Sequence, residues 1–276
     1  MTTATLSDRQ ARSEARTQPG YGFRSAARME WLKLRSVRST AWTGAVFAAG
    51  MIGLAILALG HLRYASFSAA DRAAFDPVEQ GFAGLAVGQL AFGVLGALVI
   101  TTEFSSGMIR ATLAAVPRRP LLLAAKAAVL GAVTLAVGEV LAFGAFAVGE
   151  AVLRSPAPHA TLGQPGVLRA VLMAGAYPTL IALIAVGLGA VIRHTAGAIS
   201  AVVGILFVLP LILLPLGTSI QDSVGQFMPM LIAENSLAAV KPVAHSLAPG
   251  AGLAVLCGYA AIALAAGAWA LARRDA

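Results

Sequence analysis

Six stretches of the chain, 41–60, 82–102, 121–148, 167–192, 196–217 and 251–271, are apolar without interruption by alternating polar positions. A helix rises about 1.5 Å per residue, so about 20 apolar residues cross a hydrocarbon core about 30 Å thick. Lipid offers the backbone no hydrogen bonds, so a crossing segment is either a helix or a strand of a closed barrel. Barrel strands would show about ten residues of alternating polarity, and these six runs do not. The pattern predicts an all-α polytopic membrane protein with six transmembrane helices, the third long enough to tilt. Pro178, Pro210 and Pro215 predict kinks in the fourth and fifth spans. Gly84 and Gly88 form a small-xxx-small pair of the kind that lets helices approach closely.

Composition agrees with that pattern. The chain is 58% hydrophobic and 12% charged, whereas a soluble domain is about half apolar and about a quarter charged. So few charges cannot cover a water-facing surface. The net charge is +8, and the basic residues lie between apolar runs, which points to topology rather than to nucleic acid. Counting Lys and Arg in alternate connections gives fifteen on the side of the N-terminus, the 103–126 connection, the 193–195 turn and the C-terminal tail, against five on the other. The positive-inside rule therefore predicts cytoplasmic termini. Residues 1–22 read as a disordered cytoplasmic tail, and 23–276 as one membrane domain. The polar, arginine-rich start predicts a retained first span rather than a cleaved signal peptide. Cys257 is the one cysteine, so an intrachain disulfide is excluded.

Four features could carry function. In the basic run 24–38, a helix would place Arg24, Arg28, Arg35 and Arg38 on one face with Trp31. Such a helix suits the cytoplasmic interface, where arginines meet anionic headgroups. Glu30 and Lys33 interrupt its opposite face, and an ordinary positive flank is the alternative. The connection 103–120 is too long for a tight turn and too short for a domain. A short helix over 108–116, ended by Pro117, would carry Arg110, with Arg118 and Arg119 following; it is either a handle for another protein or a solvated loop. The connection 218–250, broken by Pro229 and Pro242, holds an apolar patch, Phe227 to Ile232, that is too short to span. It predicts a re-entrant or interfacial segment, or a loop packed on the bundle. Glu139 lies inside the third span, where an ionisable group is costly and suggests a polar site or a bond to a neighbouring helix.

Absences narrow the field. The chain has no phosphate-binding G-x-x-x-x-G-K-[ST] loop, so it is not expected to hydrolyse ATP alone. It has no H-E-x-x-H motif, and His61, His159, His194 and His245 are scattered, so no catalytic residue, bound cofactor or metal site is expected.

With the residues laid out, a family likeness is visible. EWLKLRSVRSTAW, residues 30–42, resembles the cytoplasmic elbow helix of type-2 ABC exporter permeases, the membrane subunits of ATP-binding cassette transporters. TTEFSSGMIRATLAAVPRRPLLLAAK, residues 101–126, is similar to that family's segment between spans two and three, through Glu103, Phe104, Gly107, Ile109, Arg110, Pro117, Arg118, Arg119 and Lys126. The resemblance implies a coupling helix at 103–119 seated on a separate cytoplasmic ATPase, which would hold the ATP and magnesium. It also implies a second permease, the same chain or a different one, and export across the cell membrane. A non-transporting scaffold or sensor subunit is the alternative, and a lipid-modifying membrane enzyme a more distant one.

Overall fold

The computed structural model describes residues 22–36, 38–116, 118–216, 218–239 and 246–274. Among these the chain is all-helical. Residues 1–21, Pro117 and Pro242 lie outside the described residues. Helix α1 (Phe23–Ser36) leads into α2 (Arg38–Gly60). Two short helices, α3 (Ala69–Ala74) and α4 (Pro77–Gly81), return the chain to α5 (Leu85–Ser105). Helix α6 (Met108–Ala115) connects α5 to α7 (Arg119–Val152), which α8 (Val167–Ile192) follows. Next come α9 (Thr195–Leu216), α10 (Thr218–Gly225), α11 (Pro229–Leu237) and α12 (Pro249–Arg273).

Six helices are long and apolar enough to cross a membrane: α2 from Ala41, α5, α7, α8, α9 and α12. Their ends differ from the hydropathy boundaries for local reasons. Asp76 caps α4 by accepting from Val78 N at 2.9 Å and Glu79 N at 3.2 Å. Phe82 closes that helix, so the second span starts at Leu85 rather than at 82. The helix of the third span, α7, has 34 residues, about 51 Å at 1.5 Å per residue, and so extends well past a hydrocarbon core.

Helix α8 is the axis of the bundle and packs most extensively against α5, then against α12 and α7. Its small residues let the neighbours approach: Ala170, Ala174, Ala182, Ala185 and Ala190 are buried. Gly84 and Gly88 are used within the chain. A Cβ at Gly84 would come within 2.6 Å of Met51 Cα, and Gly88 lies under the Phe47 ring, so this pair seats α5 against α2. Helix α9 is the least buried span, with Leu211, Ile212 and Leu214 turned outward. A π turn, Gly204–Val208, immediately precedes Pro210. Proline lacks the amide that would bond Leu206, and the widened turn absorbs the break. Pro229 starts α11 instead of interrupting it, as a first-turn proline can. Ile232, Ala233 and Leu237 of α11 are buried, and the helix packs on α8 and α12.

Candidate functional site

Charged side chains of three helices converge where α5 ends. Lys126 of α7 is 1% exposed, and its ammonium donates to Glu30 Oε2 of α1 at 2.6 Å and to Glu103 Oε1 of α5 at 2.8 Å. Lys33 of α1 donates to the same Glu103 oxygen at 2.9 Å, to Glu30 Oε1 at 3.4 Å and to Thr112 Oγ1 of α6 at 3.3 Å. Two carboxylates and two ammonium groups are thus balanced, and four helices meet in one network. Charges of this burial are tolerable only when paired and hydrogen-bonded. Glu103 Oε2 is buried without a hydrogen-bond partner among the described residues, beside a cavity of about 400 Å³ whose lining includes Leu95, Leu98 and Met108.

The network explains α1. Its buried positions, Ala26, Glu30 and Leu34, repeat every four residues and face the bundle. Glu30 and Lys33 break the apolar pattern because they reach into the ion network. Arg24, Arg28, Trp31 and Arg35 are exposed together on the other face, as the helical spacing predicts; the side chain of Arg38 lies outside the described residues.

Helix α6 divides the residues of the 103–119 segment. Gly107 takes φ +71° to start it, a conformation that costs glycine little and other residues more. Ile109 is 2% exposed and packs in a small cluster with Ala26, Val116, Leu122 and Ala125. Met108, Arg110, Ala111 and Ala114 are exposed. Phe104 lies under the Arg193 guanidinium, 5.0 Å from the ring centroid. Arg119 donates to Leu271 O at 2.7 Å and Arg274 O at 3.1 Å, holding the end of α12. Arg118 is exposed at the start of α7.

The profile of the ABC-2 family transporter proteins matches residues 26–210. The match begins in α1 and runs through the network, α6 and most of α9. This chain belongs to the ABC-2 transporter family. No curated protein matches it. It is a multi-pass membrane protein and a permease component of an ABC transporter, and membership in this family makes it a membrane subunit rather than the catalytic one.

Glu139 of this ABC-2 permease sits apart from the network, where α7 crosses α8. Its side chain lies over Gly175, where an added Cβ would come within 2.6 Å of the carboxyl carbon. One carboxyl oxygen, Oε2, is buried without a hydrogen-bond partner among the described residues. Among the described residues no three His, Cys, Asp or Glu side chains are grouped to hold a metal ion. Sequence reasoning singled out Glu103 and quoted Lys126, but it missed what joins them. The signal was present in Glu30 and Lys33, two charges one turn apart on the inward face of an amphipathic helix.

Proposed function

We propose that this permease is the membrane half of an exporter driven by ATP hydrolysis on a separate cytoplasmic subunit, with α6 as the coupling helix and α1 as the interfacial elbow. The termini lie in the cytoplasm, two permease subunits assemble, and the membrane is the cell membrane. The observation that carries this reading is the two-sided character of α6. One face, through Ile109 and Thr112, is anchored to α1, α5 and α7. The other, with Met108, Arg110, Ala111 and Ala114, is exposed. A push on the exposed face therefore reaches the ends of spans two and three through the ion network. For ATP to drive transport, the ATPase must bind the two permease conformations with different affinity, and a helix fixed to the spans on one side can transmit that difference.

The test uses a cytoplasmic ATP-binding cassette ATPase co-purified with the full chain from native membranes. The double variant M108D/R110E is expected to lose at least tenfold of the retained ATPase while the permease inserts and elutes as the parent does. I109D is expected to lose folded permease itself, because it places a carboxylate in an apolar cluster. Retention of the ATPase by M108D/R110E at the parental level would count against coupling through α6. So would labelling of a cysteine placed at Ser106 by an impermeant reagent added outside intact cells. A scaffold would keep the ATPase without any change in its turnover, so turnover is measured alongside retention.

A further inference from the structure

At the end of the bundle away from the ion network, a second cavity of about 240 Å³ opens between α4, the start of α5, α8 and α11. Its floor is a buried polar pair. Tyr177 of α8 is 1% exposed and donates to Gln89 Oε1 of α5 at 2.5 Å. Gln89 is 2% exposed, and its amide nitrogen has no hydrogen-bond partner among the described residues. The walls are mostly apolar and include Phe82 and Met230. Two carboxylates also line the cavity: Glu79, exposed on α4, and Glu234, half-buried on α11.

Neither carboxylate has an ion-pair partner among the described residues. Arg169, at the start of α8, does not line the cavity and donates to Ala238 O at 2.7 Å. The two acidic walls are fixed relative to each other by Asp76, which caps α4 through one oxygen and accepts from Ala239 N, just past α11, at 2.6 Å through the other. Two like charges facing one apolar cavity oppose folding unless something offsets them. A small metal ion would use the carboxylates and leave the apolar walls without a role; among the described residues no three metal-ligating side chains are grouped there, and both oxygens of the nearby Asp76 already accept backbone amides.

We propose that this cavity binds an organic ammonium ion with an apolar body, Glu79 and Glu234 acting as its counter-ions. The hydrocarbon part lies against Phe82 and Met230, and the free Gln89 amide donates to an acceptor atom on the ligand. Convergent polar groups in an apolar cleft are the usual form of a small-molecule site. The ionisation of the walls agrees. Although Glu79 reaches solvent, partial burial against the cavity raises its pKa from the ordinary carboxylate value, with the charges of Asp76 and Glu234 adding to it. Burial also raises that of Glu234. The cation needs ionised carboxylates, so affinity falls as pH is lowered, and the loss begins above the usual carboxylate range. The groups facing this pair are Asp76, Tyr177 and each other; Lys241 lies outside the described residues.

The site stands independently of the coupling reading, and binding tests it without transport. The full chain, purified in detergent, is titrated calorimetrically with tyramine and with tyrosol, which replaces the ammonium by a hydroxyl. Tyramine is expected to bind at least tenfold more tightly than tyrosol. E79Q and E234Q are each expected to weaken tyramine at least tenfold and leave tyrosol within twofold. Tyramine affinity is expected to fall as pH is lowered toward the carboxylate range, as carboxylates of raised pKa require. Both variants remove repulsion and should elute as the parent does with a thermal midpoint at least as high, so lost binding is not lost fold. Equal binding of tyramine and tyrosol would overturn the proposal, as would tyramine affinity within twofold of the parent in E79Q/E234Q. A tenfold gain of tyramine affinity in K241A would also overturn it, by making Lys241 the counter-ion of the pair.

Discussion

Lys126→Met is expected to lower the stability of the permease by about 3–5 kcal/mol, the cost of removing one partner from a buried ion pair. The ammonium is 1% exposed and joins Glu30 to Glu103 at 2.6 and 2.8 Å. Methionine has comparable length and fills the space, so packing is nearly kept and the loss is electrostatic. Two carboxylates are then left to Lys33, whose side chain is 27% exposed and which binds Glu103 at 2.9 Å but Glu30 at only 3.4 Å. The double variant K126M/E103Q restores the charge balance, with one ammonium for one carboxylate. It is expected to recover at least half of the loss, a non-additivity that marks direct coupling. Unfolding midpoints in detergent and the yield of monodisperse protein measure both. K126M as stable as the parent, or a double variant no better than the single, would mean that the network adds nothing to the fold.

That network was beyond reach of the sequence for a plain reason. Lys126 and Glu30 are 96 residues apart, Lys33 and Glu103 are 70, and no local period connects them. The six spans, by contrast, follow from one property, an apolar run as long as a bilayer is thick, and each stands as a helix. Helix α6 was readable for local reasons too: helix-forming residues within it and a proline, Pro117, after it. Its division into a buried and an exposed face was not, because that depends on where α1 lies. The basic residues teach a further point. Arg119, Arg193 and Arg274 enter the count from which cytoplasmic termini are expected, yet all three guanidinium groups bond helix-end carbonyls between α7, α8 and α12. A charge counted toward topology can also close the bundle. At the opposite end, Glu79 and Glu234 lie in separate connections, and only the docking of α11 on α8 brings them to one cavity.

Gly96→Leu tests the packing of α5 on α8, the most extensive helix pair of the bundle. A Cβ at Gly96 would overlap the carbonyl oxygen of Ala182 and come within 3.0 Å of its Cα. What it meets is backbone, so no side chain can rotate away and the two helices must separate. Intrinsic propensity argues the other way, since leucine favours a helix over glycine by about 0.8 kcal/mol. Overpacking costs about 1–3 kcal/mol or more when backbone has to shift, and here the separation also loosens the contacts of Phe92, Ile100 and Ile181 in the core. The net expectation is destabilisation by about 2 kcal/mol or more, with a lower thermal midpoint and a smaller monodisperse fraction. Gly53→Leu is the matched control. A Cβ there meets nothing within 4 Å, on a span with much of its surface unburied in the single chain. The gain in propensity stands alone in G53L, which should be at least as stable as the parent. If G96L is as stable as G53L, the two helix axes are not in the contact described. If G53L instead keeps its thermal midpoint as a monomer but fails to pair, that face of α2 is where the second permease sits. The two glycines thus separate the packing that makes one subunit from the surface left over for another.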